Sequence, residues 1–186
     1  ALDTRHYLAS FKGQTALTPM DVMTDFHTLA EKIRSKDGER MTLAGWSTGA
    51  GLAVLGAAAA NKTNYDGVLA ISLGKTNILG WHCLDSLVTW FGKLPHEPTF
   101  QSEEFVPQIA PLPVLIIQSS RDEFIPNAEA AYLFVRTKRP KRFRLIHANS
   151  HSFAGNREGF FVALQQGLRW ILHSAPLASG SADEQK

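Results

Sequence analysis

A serine lies between two glycines in the sequence Gly45-Trp46-Ser47-Thr48-Gly49. The apolar run Met41 to Ala44 precedes this motif, and the alanine-rich segment Ala50 to Ala60 follows it. A serine on a sharp turn between a strand and a helix presents its hydroxyl for nucleophilic attack. The backbone amide of Thr48 is then a candidate donor to the oxyanion that such an attack creates. The alternative interpretation is a glycine-rich turn that contains an incidental serine.

A serine nucleophile requires a base to accept its proton and an acid to orient that base. Asp122 follows the apolar run Val114 to Gln118, and His151 follows the run Phe143 to Ile146. The order serine, aspartate, histidine resembles that of the α/β-hydrolase family, in which the acid follows a late strand and the histidine lies in a loop after the last one. We therefore predict that Ser47 is the nucleophile, Asp122 the orienting acid and His151 the general base.

Other side chains compete for the same roles. Glu123 is adjacent to Asp122, and His147 lies four residues before His151, where we expect a partly buried sheet residue. The remaining histidines lie on predicted helices or loops outside the required order: His6, His27, His82, His96 and His173. The predicted reaction forms an acyl-enzyme that water hydrolyses, and it needs no metal or cofactor.

Strands and helices alternate along the chain. Three short aliphatic runs predict buried parallel strands, at residues 41–44, 68–73 and 114–118, and a fourth strand is predicted at 143–146. Helical spacing predicts helices at 50–60, 128–136 and 157–173, and Thr18-Pro19-Met20-Asp21 caps another that ends near Asp37-Gly38. Residues 1–5 are interpreted as the end of a fifth strand. The predicted fold class is α/β, a doubly wound and mostly parallel sheet.

The length of 186 residues favours a single domain, which we place at residues 1–174, followed by a disordered tail at 175–186. Residues 74–110 interrupt the alternation with many aromatic side chains. This stretch is interpreted either as a lid or pocket wall, or as a connection that packs on the sheet edge. Trp46 and Trp81 are the candidate substrate-binding residues.

Composition excludes several functional classes. A net charge of +2, with 44% hydrophobic and 19% charged residues, argues against a disordered chain or a nucleic-acid specialist. The lone Cys83 excludes an intrachain disulfide, and no apolar run reaches the roughly 18 residues that span a bilayer. Six cations lie within residues 136–144, which indicates either a solvated face or contact with an anionic lipid surface. The oligomeric state is left open.

The ordered motifs around Ser47, Asp122 and His151 resemble the α/β-hydrolase superfamily from its fourth strand onward. This resemblance implies that the earlier strands, with the second oxyanion donor, lie upstream of Ala1. The segments LDTRHYL, TPMDVMTDF, GWSTGAG and SHSF are also similar to the bacterial virulence-protein branch called VirJ or AcvB. That branch typically reads GYSFGAD at the serine, so Trp46, Thr48 and Gly51 are departures.

The second resemblance implies a periplasmic hydrolase of aminoacylated phosphatidylglycerol, although the residues themselves leave the periplasm and the cytoplasm open. The expected function is a serine hydrolase of carboxylic esters, with a lipid or aminoacyl-lipid ester as one substrate. Two alternatives are kept: a binding or scaffold protein on the same fold, and an acyltransferase.

Overall fold

The computed structural model describes residues 1–10, 17–37, 41–59, 62–81 and 98–175. The helices are α1 (Thr4–Ser10), α2 (Pro19–Asp37), α3 (Thr48–Ala58), α4 (Ser102–Phe105), α5 (Asn127–Arg136) and α6 (Arg157–Ser174), with a 3₁₀ turn at Val106–Gln108. The strands are β1 (Met41–Trp46), β2 (Tyr65–Ile71), β3 (Thr76–Ile78), β4 (Thr99–Gln101), β5 (Val114–Ser119) and β6 (Lys141–Ile146).

Four strands form one parallel sheet in the order β1-β2-β5-β6. Leu43 pairs with Val68 between β1 and β2, and Ile116 pairs with Phe143 between β5 and β6. Parallel neighbours need crossover connections, and α3 and α5 supply them between β1 and β2 and between β5 and β6. The predicted fold class is therefore confirmed.

Alternate side chains of the two central strands pack on opposite sides of the sheet. Val68, Ala70, Val114 and Ile116 join α3 and α5 in one core, whereas Leu69, Ile71, Leu115 and Ile117 join α6 in the other. Strands that are buried on both faces have continuous aliphatic sequences, which explains their lack of polar alternation. The helices thus cover both faces, as a doubly wound sheet requires.

The N-terminal residues contain a helix where the sequence suggested a strand. Asp3 accepts a hydrogen bond from the backbone amide of His6 at 3.0 Å through Oδ1, so it caps α1, and Thr4 and Arg5 are helical. The strand interpretation of residues 1–5 is therefore wrong at Thr4 and Arg5. At α2 the predicted cap is confirmed, because Thr18 Oγ1 accepts from the amide of Asp21 at 3.3 Å. The carboxylate of Asp21 also accepts from the amide of Thr18 at 2.8 Å.

The described part of residues 74–110 folds against the rest of the chain. β3 and β4 pair as a short antiparallel ladder, and Phe100 is buried edge-to-face against Phe105 with ring centroids 5.8 Å apart. Residues 82–97 lie outside the described part, so the lid or pocket wall remains a prediction. In the part of the chain that the structure describes, no helix is long and apolar enough to cross a membrane.

Candidate active site

The turn from β1 to α3 holds Ser47 in a strained backbone conformation. Its φ of 55° and ψ of −122° lie where residues with a Cβ rarely occur, at a cost of about 1–3 kcal/mol. The Ser47 amide donates to the carbonyl of Ile71 at 2.9 Å, which ties the turn to β2. The Ser47 carbonyl accepts from the amide of Ala50 at 2.9 Å and so begins α3.

The two glycines of the motif have different steric roles. A Cβ at Gly45 would lie 1.9 Å from the carbonyl oxygen of Gly49, so only glycine lets the strand pass the helix so closely. A Cβ at Gly49 would meet only the Thr4 hydroxyl, at 3.3 Å. Gly51 is also sterically required, because its Cβ would lie 2.4 Å from the Asn77 side chain. The departure from the VirJ-like pattern at Gly51 therefore coincides with a close approach of β3.

Thr48 is the first residue of α3, where backbone amides have no acceptor within the helix. The positive end of the helix dipole also lies here and favours negative charge. This position suits the predicted oxyanion donor.

Asp122 lies in the loop after β5, and its side chain is fully shielded from solvent. Its Oδ1 accepts from the amides of Phe124 at 3.0 Å and Ile125 at 2.9 Å. Gln118 Nε2 lies 3.3 Å from Oδ2. Burial raises the pKa of Asp122, but hydrogen bonds from His151 and from these amides outweigh burial, so the net pKa lies below its ordinary value. The carboxylate is therefore ionised at neutral pH.

His151 lies in the loop between β6 and α6. Its Nδ1 is 2.8 Å from Asp122 Oδ2 and 3.0 Å from Oδ1, so the structure brings the predicted acid and base together. A pairing at Nδ1 leaves Nε2 available for a substrate or a nucleophile. The imidazole is also largely enclosed, with 16% of the side chain exposed.

Aromatic side chains connect the histidine loop to the serine turn. The ring centroid of Trp46 lies 6.3 Å from that of His151 and 5.5 Å from that of Phe153. Phe153 is buried and stacks on Phe160 of α6 at 4.4 Å. Ser47 is thus one residue from an indole that contacts the histidine. No hydrogen bond joins the Ser47 hydroxyl to His151 among the described residues; in enzymes without substrate this contact is often long.

The competing residues take other positions. Glu123 accepts from the backbone amide of His151 at 2.7 Å through Oε2, and it makes no contact with the ring nitrogens. His147 is exposed and follows the end of β6, so its assignment as a partly buried sheet residue is wrong. His6 and His27 lie on α1 and α2, His173 lies on α6, and His82 and His96 fall outside the described residues.

Among the described residues, Trp81 makes no aromatic or hydrogen-bond contact with Asp122 or His151. Its ring lies 5.1 Å from the Arg5 guanidinium carbon and packs on the apolar cluster of α1, α2 and α3.

Most of the cations of residues 136–144 lie towards the opposite end of β6 from His151, because β6 begins at Lys141 and His151 follows the carboxyl end of the strand. Lys141 Nζ donates to the carbonyls of Phe134 and Val135. Substrate binding by Trp81 and lipid contact by the cations remain predictions.

Sequence analysis missed three residues that support the site. Gln118 is a fully buried polar residue in the aliphatic strand β5, and this contrast is a readable signal. Asn156 caps α6 by accepting from the amide of Gly159 at 3.0 Å, and its Nδ2 donates to the His147 carbonyl at 3.1 Å. It therefore closes the histidine loop. Phe153, at a φ of 58°, gives no signal beyond its apolar character.

Comparisons with known proteins agree with this architecture. No protein-family model matches the chain. The uncharacterized protein YfhR of Escherichia coli O157:H7 is 27% identical over 136 residues, which are 72% of this chain and 46% of that protein. The chain thus spans about half the length of this curated relative.

Solved structures share the fold at low sequence identity. The α/β hydrolase GrgF from Penicillium sp. sh18 matches with a TM-score of 0.63 and 12% identity, over 88% of this chain and 75% of its own. Est1E from Butyrivibrio proteoclasticus matches with a TM-score of 0.61 and 14% identity, over 84% and 72%. A membrane phospholipase A described as a bacterial virulence factor matches with a TM-score of 0.61 and 16% identity, over 88% and 68%. The parallel sheet, the strained serine turn and these structural neighbours together show that the chain has the fold of the α/β hydrolases.

Proposed function

We propose that the protein is a serine hydrolase of carboxylic esters, with Ser47 as nucleophile, His151 as general base and Asp122 as orienting acid. The observation that carries the proposal is the pairing of the buried Asp122 carboxylate with His151 Nδ1 beside the strained Ser47 turn. A catalytic serine needs a base that is itself oriented by a third group, and this pair supplies both.

The proposed mechanism assigns one proton transfer to each step. His151 Nε2 accepts the Ser47 proton while Oγ attacks the ester carbonyl, and Asp122 stabilises the resulting imidazolium through Nδ1. The Thr48 amide donates to the oxyanion. The tetrahedral intermediate collapses as the imidazolium protonates the departing alkoxide. Water then attacks the acyl-enzyme while His151 takes a proton from it. The imidazolium returns this proton to Ser47 Oγ as the second tetrahedral intermediate collapses to the acid and the free serine.

Two exposed aromatic rings beside His151 support an apolar group in the substrate. Trp46 is 39% exposed and Phe124 is 61% exposed, and the Phe124 ring meets the imidazole edge-to-face at 5.3 Å. Apolar surface of this kind, next to a few polar groups, is typical of small-molecule sites. We place the acyl or alcohol portion of the ester against these two rings. Trp81 is kept as a second substrate-binding candidate.

The structural neighbours support an ester as the scissile group. They include an esterase domain from Rhodothermus marinus, a monoacylglycerol lipase from Paleococcus ferrophilus, and Est1E with ferulic acid bound. A lipid or aminoacyl-lipid ester, as the VirJ-like resemblance implies, is the finer proposal, and the phospholipase neighbour favours it. Such a substrate would meet Trp46 and Phe124 at the catalytic edge rather than the cations of residues 136–144.

Labelling with a fluorophosphonate probe tests the proposal. We expect the wild type to be labelled once per chain and Ser47→Ala to be unlabelled. Ser10→Ala, which removes an exposed hydroxyl at the end of α1, is the matched control and should label at the wild-type rate. Turnover of p-nitrophenyl acetate should follow the same order. A wild type that is folded and yet inert to the probe would point to the scaffold alternative.

A further inference from the structure

Three consecutive residues in the loop after β5 contact His151, each through a different group. Asp122 binds ring Nδ1 at 2.8 Å, Glu123 Oε2 accepts from the backbone amide at 2.7 Å, and Phe124 meets the ring edge-to-face at 5.3 Å. The Glu123 contact joins residues that are 28 positions apart in the chain. It therefore fixes the backbone of the histidine loop relative to the loop that carries the acid.

The contact is short and charge-assisted, because a carboxylate accepts from an amide at less than the usual distance of about 2.9 Å. Glu123 itself is exposed. Water can therefore replace the carboxylate at the His151 amide, so the loss of this bond costs little folding stability. What water cannot supply is a fixed position for the His151 backbone. Without the Glu123 contact, the Asp122 bond still holds the imidazole, but the backbone of His151 loses its tie to the loop after β5.

We propose that Glu123 is a positioning residue that acts through the backbone of His151, and that it makes no contact with the substrate. This inference rests on the proposed function, since it assigns Glu123 a part in the same reaction. The two adjacent carboxylates thus have separate roles, because Asp122 controls which imidazole nitrogen carries the proton and Glu123 controls where the imidazole lies. A displacement of about 1 Å at a catalytic group lowers the rate about 100-fold.

The experiment that tests this role compares Glu123→Ala with Glu123→Gln. Glutamine keeps a side-chain oxygen at the same length and can still accept from the His151 amide, whereas alanine removes the acceptor. We expect Glu123→Ala to lower kcat on p-nitrophenyl acetate by about 10- to 100-fold with KM changed less than about twofold. Glu123→Gln should retain at least about a third of wild-type kcat. Glu104→Ala, at an exposed carboxylate on α4, is the control for loss of charge and should match the wild type.

A purely structural role predicts a different result. The activity of Glu123→Ala would then fall because the variant has a lower melting temperature, or because the fluorophosphonate labels a smaller fraction of the protein. The positioning role predicts full titration at a slower rate. Equal kcat in Glu123→Ala and wild type would overturn the inference while leaving Ser47 labelling, and so the proposed function, intact.

A readout that is independent of turnover completes the test. The His151 Nδ1 proton, shared with Asp122, is observable by proton NMR and assigned by its loss in His151→Ala. We expect it to broaden in Glu123→Ala and to stay sharp in Glu123→Gln. An unchanged signal in Glu123→Ala would overturn the inference even if the wild type proved inert to the probe, which would be the separate failure of the proposed function.

Discussion

Replacing Asp122 by asparagine should place the proton on the wrong nitrogen of His151. Asp122 Oδ1 accepts from two backbone amides, those of Phe124 and Ile125, while Oδ2 faces His151 Nδ1 at 2.8 Å. The asparagine oxygen satisfies the two amides only if it takes the Oδ1 position. Its NH₂ group then points at Nδ1, which must become an acceptor, so the proton moves to Nε2. An imidazole protonated at Nε2 cannot accept the Ser47 proton.

The size of the effect follows from the alternative rotamer of the asparagine. Turning its oxygen towards His151 restores the active tautomer but presents an NH₂ group to the two backbone amides. An unsatisfied buried donor costs about 1–3 kcal/mol, and only the Ile125 amide is partly buried, whereas the exposed Phe124 amide can turn to water, so the active arrangement lies about 1–3 kcal/mol higher. This range corresponds to roughly a 5-fold to 150-fold loss in kcat, which is smaller than the loss of about 10⁴ known for the same substitution in a serine protease triad.

The assay is kcat on p-nitrophenyl acetate together with the rate of fluorophosphonate labelling, with melting temperatures to show that the variant is folded. Both rates should fall in parallel, while Glu104→Gln, which neutralises an exposed carboxylate, should leave them unchanged. An Asp122→Asn variant that keeps more than about a fifth of the wild-type rate would refute the assignment. Loss of that residual rate in the double variant with Glu123→Gln would then identify Glu123 as the acid.

Two further predictions concern the serine turn and the core. Gly45→Ala should lower the free energy of unfolding by about 3 kcal/mol and abolish labelling of Ser47. Gly49→Ala should change the free energy of unfolding by less than about 1 kcal/mol. Equal effects of the two variants in denaturant titrations would contradict the steric argument. Burial raises the pKa of Tyr65 to about 12 from 10.0, so its contribution to stability is complete below pH 10 and is lost as pH rises through 12. Between pH 10 and pH 12, chemical denaturation should show that the free energy of unfolding falls by about 3 kcal/mol less in Tyr65→Phe than in the wild type. Parallel curves of unfolding free energy against pH would contradict this prediction.

The central strands were predictable because burial on both faces selects a continuous apolar sequence. The central strands β2 and β5 are nearly continuous apolar runs, whereas β1 and β6 are partly exposed and show only the shorter runs Leu43–Ala44 and Leu145–Ile146. The serine, aspartate and histidine follow β1, β5 and β6 in the expected order. The ends were less accurate: β2 begins at Tyr65 rather than at Val68, because Asp66 and Gly67 hide the start of the strand. β3 and β4 were missed altogether, since three residues are too few for a pattern.

The choice between Asp122 and Glu123 shows where local sequence stops being informative. Both are carboxylates in the same loop, and no periodicity separates them. The structure separates them through the turn that Asp122 itself makes, because accepting from the amides of Phe124 and Ile125 draws its side chain inwards and leaves Glu123 outside. A carboxylate that accepts from amides two and three residues ahead is typical of a turn. The same pattern that suggests a merely structural role for Asp122 therefore also places its side chain in the interior.

The position of the histidine loop follows from the width of the sheet. Neighbouring strands lie about 4.8 Å apart, so the carboxyl ends of β1 and β6, three positions apart, are separated by roughly 14 Å. No histidine side chain spans that distance, so the loop after β6 must cross back over β5 and β2 to bring an imidazole near Ser47. Phe153 shows that it does, because this residue of the loop lies edge-to-face on Trp46 at the end of β1, with ring centroids 5.5 Å apart. The packing of Phe153 on Trp46 and Phe160 therefore holds the loop across the end of the sheet. The carboxylates of Asp122 and Glu123 then orient the imidazole of His151.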